Sequence, residues 1–190
     1  MSGPQGRLAT AVRQILDEDH TMKIDEIKLL MAYNDWCDDR LLAACASVTP
    51  EQYAAPGSYS RGGLRTTMVH ILDNLWQQRI TLQGYYEKPL ADEAAYDATE
   101  LHEDSLPTLA MLQERWAVER REMRLYLDSL TEAALNGTIR YVIPGAQRER
   151  IVWHILVDII LHAAQHRSEA AALLTKYGHS PGDIDFIFYV

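Results

Sequence analysis

The sequence predicts an all-α protein, a four-helix bundle with a short β-hairpin leading into its last helix. Three observations carry that expectation. Four long segments repeat their apolar side chains with the 3.6-residue period of a helix that buries one face. Strand signals are confined to residues 138–150. A turn-rich acidic linker, residues 84–104, is long enough to carry the chain from one end of a bundle to the other. At 190 residues, 47% hydrophobic and 24% charged, the chain is sized for a single domain with a substantial core.

In order, residues 1–21 read as an N-terminal extension. Ser2 to Gly6 is flexible in character, and Leu8, Val12, Ile15 and Leu16 make a short amphipathic helix that the acidic run Asp17-Glu18-Asp19 ends. The bundle domain is expected over residues 22–190. Helix one spans Ile24 to Ala46, with Ile27, Leu30, Met31, Leu41 and Cys45 on one face and Asn34 intruding on it. Residues 47–63 hold two prolines and three glycines and form a loop, in which Thr49-Pro50-Glu51-Gln52 resembles a helix start. Helix two spans Leu64 to Leu82, its face set by Leu64, Met68, Ile71, Leu75 and Leu82, and Gly84 ends it. Ser105 is the expected cap of helix three, with Pro107 tolerated in the first turn. The seam of that helix runs Leu109, Leu112, Trp116, Glu119, Met123, Tyr126, Leu130, with one carboxylate intruding. Asn136-Gly137 signals a turn, and residues 138–143 and 147–150 read as short strands around Pro144-Gly145. Helix four is expected over residues 149–177, with Ile151, Val152, Ile155, Leu156, Ile159, Ala163, Ala170, Leu173 and Leu174 on its apolar stripe.

Charge and motifs exclude several function classes. The formal charge is −9 and no basic face forms, which argues against nucleic acid or an anionic membrane as the main partner. No run of eighteen apolar residues is present to span a membrane. Without a basic region followed by an apolar core at the N-terminus, a cytoplasmic protein is expected. Cys37 and Cys45, eight residues apart on one helix, lie roughly 12 Å apart along its axis, too far to bridge. None of the seven histidines follows a glutamate by three residues, so the Glu-x-x-His pairs of di-iron bundles are missing. His-Glu-x-x-His, Cys-x-x-Cys, phosphate loops and dinucleotide fingerprints are missing as well.

What remains is His162 and His166, one turn apart and inside the apolar stripe of helix four. Two buried imidazoles need partners, and a shared metal ion is one that serves both; the alternative is a pair of core histidines satisfied by hydrogen bonds. An ion asks for a third donor. His20 lies in the extension, His102 in the acidic linker and His179 past the helix stop, while His154 is two turns from His162, too far to share an ion. His70 on helix two shares its face with Thr67, Asn74 and Gln77, so periodicity alone places it at the surface. It becomes a donor only where that polar face borders a water-filled cleft, and spacing leaves the question open. Asp158, Asp73 and Asn74 are candidates to orient the imidazoles, and Asn34 and Glu119 to line a cavity. The four tryptophans read as core.

Several stretches together resemble the DinB/YfiT-like family of metal-binding helical proteins: Ala32-Tyr33-Asn34-Asp35-Trp36 on helix one, the segment MVHILDNLWQQR on helix two, HAAQHRSEAAALL on helix four and the tail SPGDIDFIFYV. The resemblance covers about residues 22–190. It implies an up-down-down-up bundle, frequent homodimers and one divalent ion, nickel, zinc or iron, held by a three-histidine site. Carried over residue by residue, the ligands are His70, His162 and His166; where many members have a further histidine before the last ligand, this chain has Gln165. It further implies a metal-dependent enzyme of the thiol-dependent S-transferase or hydrolase type, acting on a small molecule with a low-molecular-weight thiol. The competing expectations are a non-catalytic, stress-related binding protein with a structural metal, and a metal-free helical dimerisation scaffold.

Overall fold

A computed structural model describes residues 21–190. The short helix expected around Leu8 to Leu16 lies outside them. The described chain is mostly helical, with one two-stranded sheet. Helix α1 spans Ile24–Cys45; Asp25 and Glu26 sit in its first turn, where negative charge meets the positive end of the helix dipole, and Glu26 accepts from the Lys23 amide at 3.0 Å. The helix start read at Thr49 is the one-turn helix α2, Pro50–Ala54, closed by a capping box between Thr49 and Gln52. Helix α3, Leu64–Leu82, follows Gly63.

The linker after α3 is not featureless. It carries a short helix, α4 (Glu93–Asp97), and a 3₁₀ turn, Glu103–Ser105. Trp76 Nε1 and Gln77 Nε2 both donate to the Thr99 carbonyl, at 2.8 and 2.7 Å, and tie the linker to α3. Helix α5 spans Leu109–Ser129 and is capped by Thr108, not Ser105. Pro107 explains the correction: it drives Leu106 out of the helical region, to φ −127° and ψ 58°, so the helix starts beyond the proline. Ser105 turns its hydroxyl back to the His102 carbonyl instead. Before the Asn136-Gly137 turn stands a further one-turn helix, α6 (Glu132–Asn136), capped by Thr131.

Strands β1 (Thr138–Ile143) and β2 (Ala146–Ile151) form the expected antiparallel hairpin, in register from Ile143↔Ala146 to Thr138↔Ile151. Gly145 takes the positive φ of its two-residue turn. Pairing runs to Ile151, so the last helix, α7, covers Val152–Lys176 and residues 149–151 belong to the strand rather than to the helix.

The four long helices pack pairwise in a closed ring: α7 touches α3 and α1, and α5 touches the same two. Their apolar faces form two core clusters. One joins Leu41 and Cys45 of α1 with Leu64 and Met68 of α3, Leu112 and Trp116 of α5, and Ala170 and Leu174 of α7. The other joins Ile27 and Met31 with Leu75 and Leu82, Met123 and Leu127, and Ile155 and Ile159. Both cysteines are buried and free, as their spacing required. Among the described residues no helix is long and apolar enough to cross a membrane.

Polar residues cross this core in two places. Arg167 of α7 is 1% exposed and donates to Asn34 Oδ1 at 2.6 Å and to Asp38 Oδ1 at 2.9 Å, both on α1. Burial pushes the Asp38 carboxyl up to about 6, while Arg167 and Arg120 pull it back down. Arg79 of α3 clasps one oxygen of the fully buried Glu119 of α5 through Nε and Nη2, at 2.8 and 2.7 Å. Asn34 and Glu119, expected to line a cavity, are therefore spoken for by arginines. Removing one partner of the Arg167–Asp38 pair strands the other charge, and Asp38→Ala or Arg167→Ala is expected to cost about 3–5 kcal/mol. In urea denaturation the double variant should lose clearly less than the two single losses combined; strict additivity would mean the pair is not coupled.

Candidate metal centre

Two helices and one loop build the site. On α7, His162 and His166 are one turn apart and point to the same side, toward α3. His70 sits in the second turn of α3. The ring centroids of the three imidazoles lie 4.8, 4.7 and 4.6 Å apart, and one ring nitrogen from each falls within 4.8 Å of the others. His166 is buried, while His70 and His162 are partly buried. The third donor that spacing left open is thus a neighbour in space. Its polar helix face is partly covered because Arg61, from the loop before α3, lies against His70.

That loop is held tightly. Tyr59 pairs with Gly62, whose φ is +96°, and a Cβ on Gly63 would stand 2.0 Å from the Ala55 carbonyl oxygen. The turn lays two consecutive side chains on the histidine cluster. Ser60 donates to Glu169 Oε1 at 2.7 Å, and Glu169 Oε2 meets His166 Nδ1 at 3.0 Å. Arg61 Nη2 lies 2.6 Å from His70 Nδ1.

Burial pushes the His70 imidazolium down to about 3, helped by the Arg61 cation and by the other two histidines. His162 is also lowered, first by burial and then by His166. The bond to His166 holds the Glu169 carboxyl below its usual range, and Ser60 adds to this. At neutral pH His70 and His162 are therefore neutral rings with a lone pair to offer, beside a carboxylate.

The donor set fits a divalent ion. Three neutral imidazole nitrogens suit zinc, nickel or iron. The Nε2 of His162 is buried without a hydrogen-bond partner, and no hydrogen bond joins the three rings. His166 has the carboxylate partner that metal-binding histidines usually have on their other nitrogen.

The expected orienting residues are elsewhere. Asp158 accepts from Gln78 at 3.4 Å, and Asp73 accepts from the Leu101 amide at 2.8 Å; neither hydrogen-bonds an imidazole. Asn74 Oδ1 is buried and unpartnered. His154 packs edge-on against Trp153, away from the cluster. His20 lies outside the described residues. Glu169, missed by sequence reasoning, had a usable signal, because a residue three beyond His166 shares its helix face. Ser60 and Arg61 had none, since only the fold of the loop brings them to the site.

The fold and the site define a mostly helical protein with a three-histidine cluster suited to a metal ion. The chain belongs to the DinB family, whose family model matches residues 19–190. No curated protein matches it.

A depressed imidazole pKa stabilises the fold above the unfolded value of about 6.5 and ceases to do so as pH falls toward the folded value. The metal-free protein should therefore lose stability from about pH 6.5 downward, and His70→Gln should flatten that slope. Ring NMR signals of His70 that titrate near pH 6.5 would contradict the burial argument.

Proposed function

We propose that this chain is a divalent-metal-binding protein in which His70, His162 and His166 hold one ion, nickel or zinc in preference to iron. The observation that carries the reading is the meeting of three unlinked imidazoles, one with an orphaned buried nitrogen, where two long helices pack. Bound there, the ion supplies a Lewis acid that lowers the pKa of bound water or takes up a thiolate. The three ligands are neutral and leave its charge uncompensated, while Glu169 fixes the ring of His166. On this basis the protein is a metal-dependent enzyme of the thiol-dependent S-transferase or hydrolase type, acting on a small molecule. A purely structural ion would want a fourth protein ligand. Among the described residues the cluster has three members, which favours the open position that catalysis needs.

The same proposal includes an up-down-down-up four-helix bundle that pairs as a homodimer. The first halves of α1 and α7 share a core cluster with the second halves of α3 and α5, and the remaining halves share the other. That distribution supports α1 parallel to α7, with α3 and α5 opposed to both. Exposed Ile187, Phe188 and Val190 are apolar surface of the kind a second copy covers.

Elemental analysis of protein purified without an affinity tag tests the metal. Near one equivalent is expected, lost in His70→Ala and in His166→Ala. Glu169→Ala should keep the site but weaken it roughly 10–100-fold. Metal retained in full without His70 removes that residue from the ligand set.

A further inference from the structure

We propose that Arg61 holds a carboxylate of the substrate beside the histidine cluster, so that the site takes a small acid whose second donor, a thiolate, reaches the ion. The inference rests on the three-histidine reading above. It begins with a proton count. A guanidinium only donates, so the 2.6 Å contact makes His70 Nδ1 the acceptor and leaves the proton of the neutral ring on Nε2. A metal ligand must offer a lone pair. If the ion takes Nδ1, Arg61 stands in its place. If it takes Nε2, the proton moves to Nδ1 and two donors face each other. Either way, an ion on His70 displaces Arg61.

The displaced guanidinium stays tethered beside the cluster and has no carboxylate partner there. Its turn is pinned by the Tyr59–Gly62 pairing, by the close approach of Gly63 to Ala55 and by the bond from Ser60 to Glu169. Glu169, the carboxylate on the cluster, already serves Ser60 and His166 with its two oxygens. Arg61 is exposed and enters no ion pair with a carboxylate among the described residues. With the ion in place, a cation tethered by that turn therefore stands beside a dication whose ligands are all neutral. Two adjacent positive centres of this kind suit a ligand with two anionic groups. A planar guanidinium matches a carboxylate in two parallel hydrogen bonds, and a soft thiolate matches the metal.

Cobalt(II) titration of metal-free wild type, Arg61→Gln and Arg61→Lys tests the first half. Losing the competing contact should tighten cobalt binding about five-fold in Arg61→Gln. For the second half, the cobalt-loaded proteins are titrated with mercaptoacetate and with 2-mercaptoethanol, and the sulfur-to-cobalt charge-transfer band is followed. Wild type should prefer mercaptoacetate roughly ten-fold, Arg61→Gln should lose the preference without weaker 2-mercaptoethanol binding, and Arg61→Lys should keep part of it. Cobalt bound by wild type with the same affinity and the same thiol preference in Arg61→Gln overturns this inference alone. Absence of cobalt binding by wild type overturns the three-histidine site, and this inference with it.

Discussion

The buried guanidinium of Arg167 sets how α7 can lie. It is 1% exposed, and its hydrogen bonds to Asn34 and Asp38 join the last helix to the first. An unpaired charge in that position is far more costly than a lost apolar contact, so the rotation of α7 about its axis has little freedom. Successive helical residues are turned by about 100°, and pinning Arg167 toward α1 turns His166, its neighbour, toward α3. His162 follows one turn earlier. The direction in which the imidazoles point is thus inherited from an ion pair that lies outside the cluster. Arg79 and Glu119 likewise join α3 and α5, with Arg79 about two and a half turns along α3 from His70.

The site is electrostatically unusual for a chain of charge −9. Its inner surface is made of three imidazoles, of which burial suppresses the protonation of His70 and His162, with a single carboxylate behind His166 and a single guanidinium against His70. Such a surface disfavours protons yet suits a dication, because an imidazole kept neutral gives its lone pair without having to lose a proton first. The acidic surplus lies elsewhere, much of it in the linker and on the outer helix faces, where water screens it. Local arrangement, rather than net charge, decides what binds at this cluster.

Much of this was legible in the sequence, and what was not has a physical reason. Apolar periodicity located the four long helices, because a helix that buries one face must repeat every 3.6 residues. His162 and His166 were visible as a pair for the same reason, since their spacing is local. His70 was not assigned by pattern: its face is polar, and periodicity does not report that a glycine-pinned loop covers part of it. Ser60 and Arg61 were invisible because their partners are distant in sequence. Ser105 has the chemistry of a cap, but Pro107 keeps Leu106 out of the helical region, so α5 begins beyond it. The early start given to α7 came from apolar Ile151, which strand pairing claimed first.

The most informative residues were those that broke a pattern. Asn34, Glu119, His162 and His166 all intrude on apolar faces, and an intruder in a core must be answered by a partner. For Asn34 and Glu119 the answer is an arginine from a neighbouring helix, a fixed charge that the chain itself supplies. His166 is answered on one nitrogen by Glu169, which leaves its other nitrogen facing the cluster, and His162 Nε2 has no partner within the protein. A third imidazole beside them adds another donor–acceptor ring rather than satisfying either one. At Asn34 and Glu119 the chain supplies an arginine, whereas at His162 and His166 a ring nitrogen is left facing the cluster without a hydrogen-bond partner from the protein. That asymmetry, more than the count of histidines, is what makes the cluster suited to an ion.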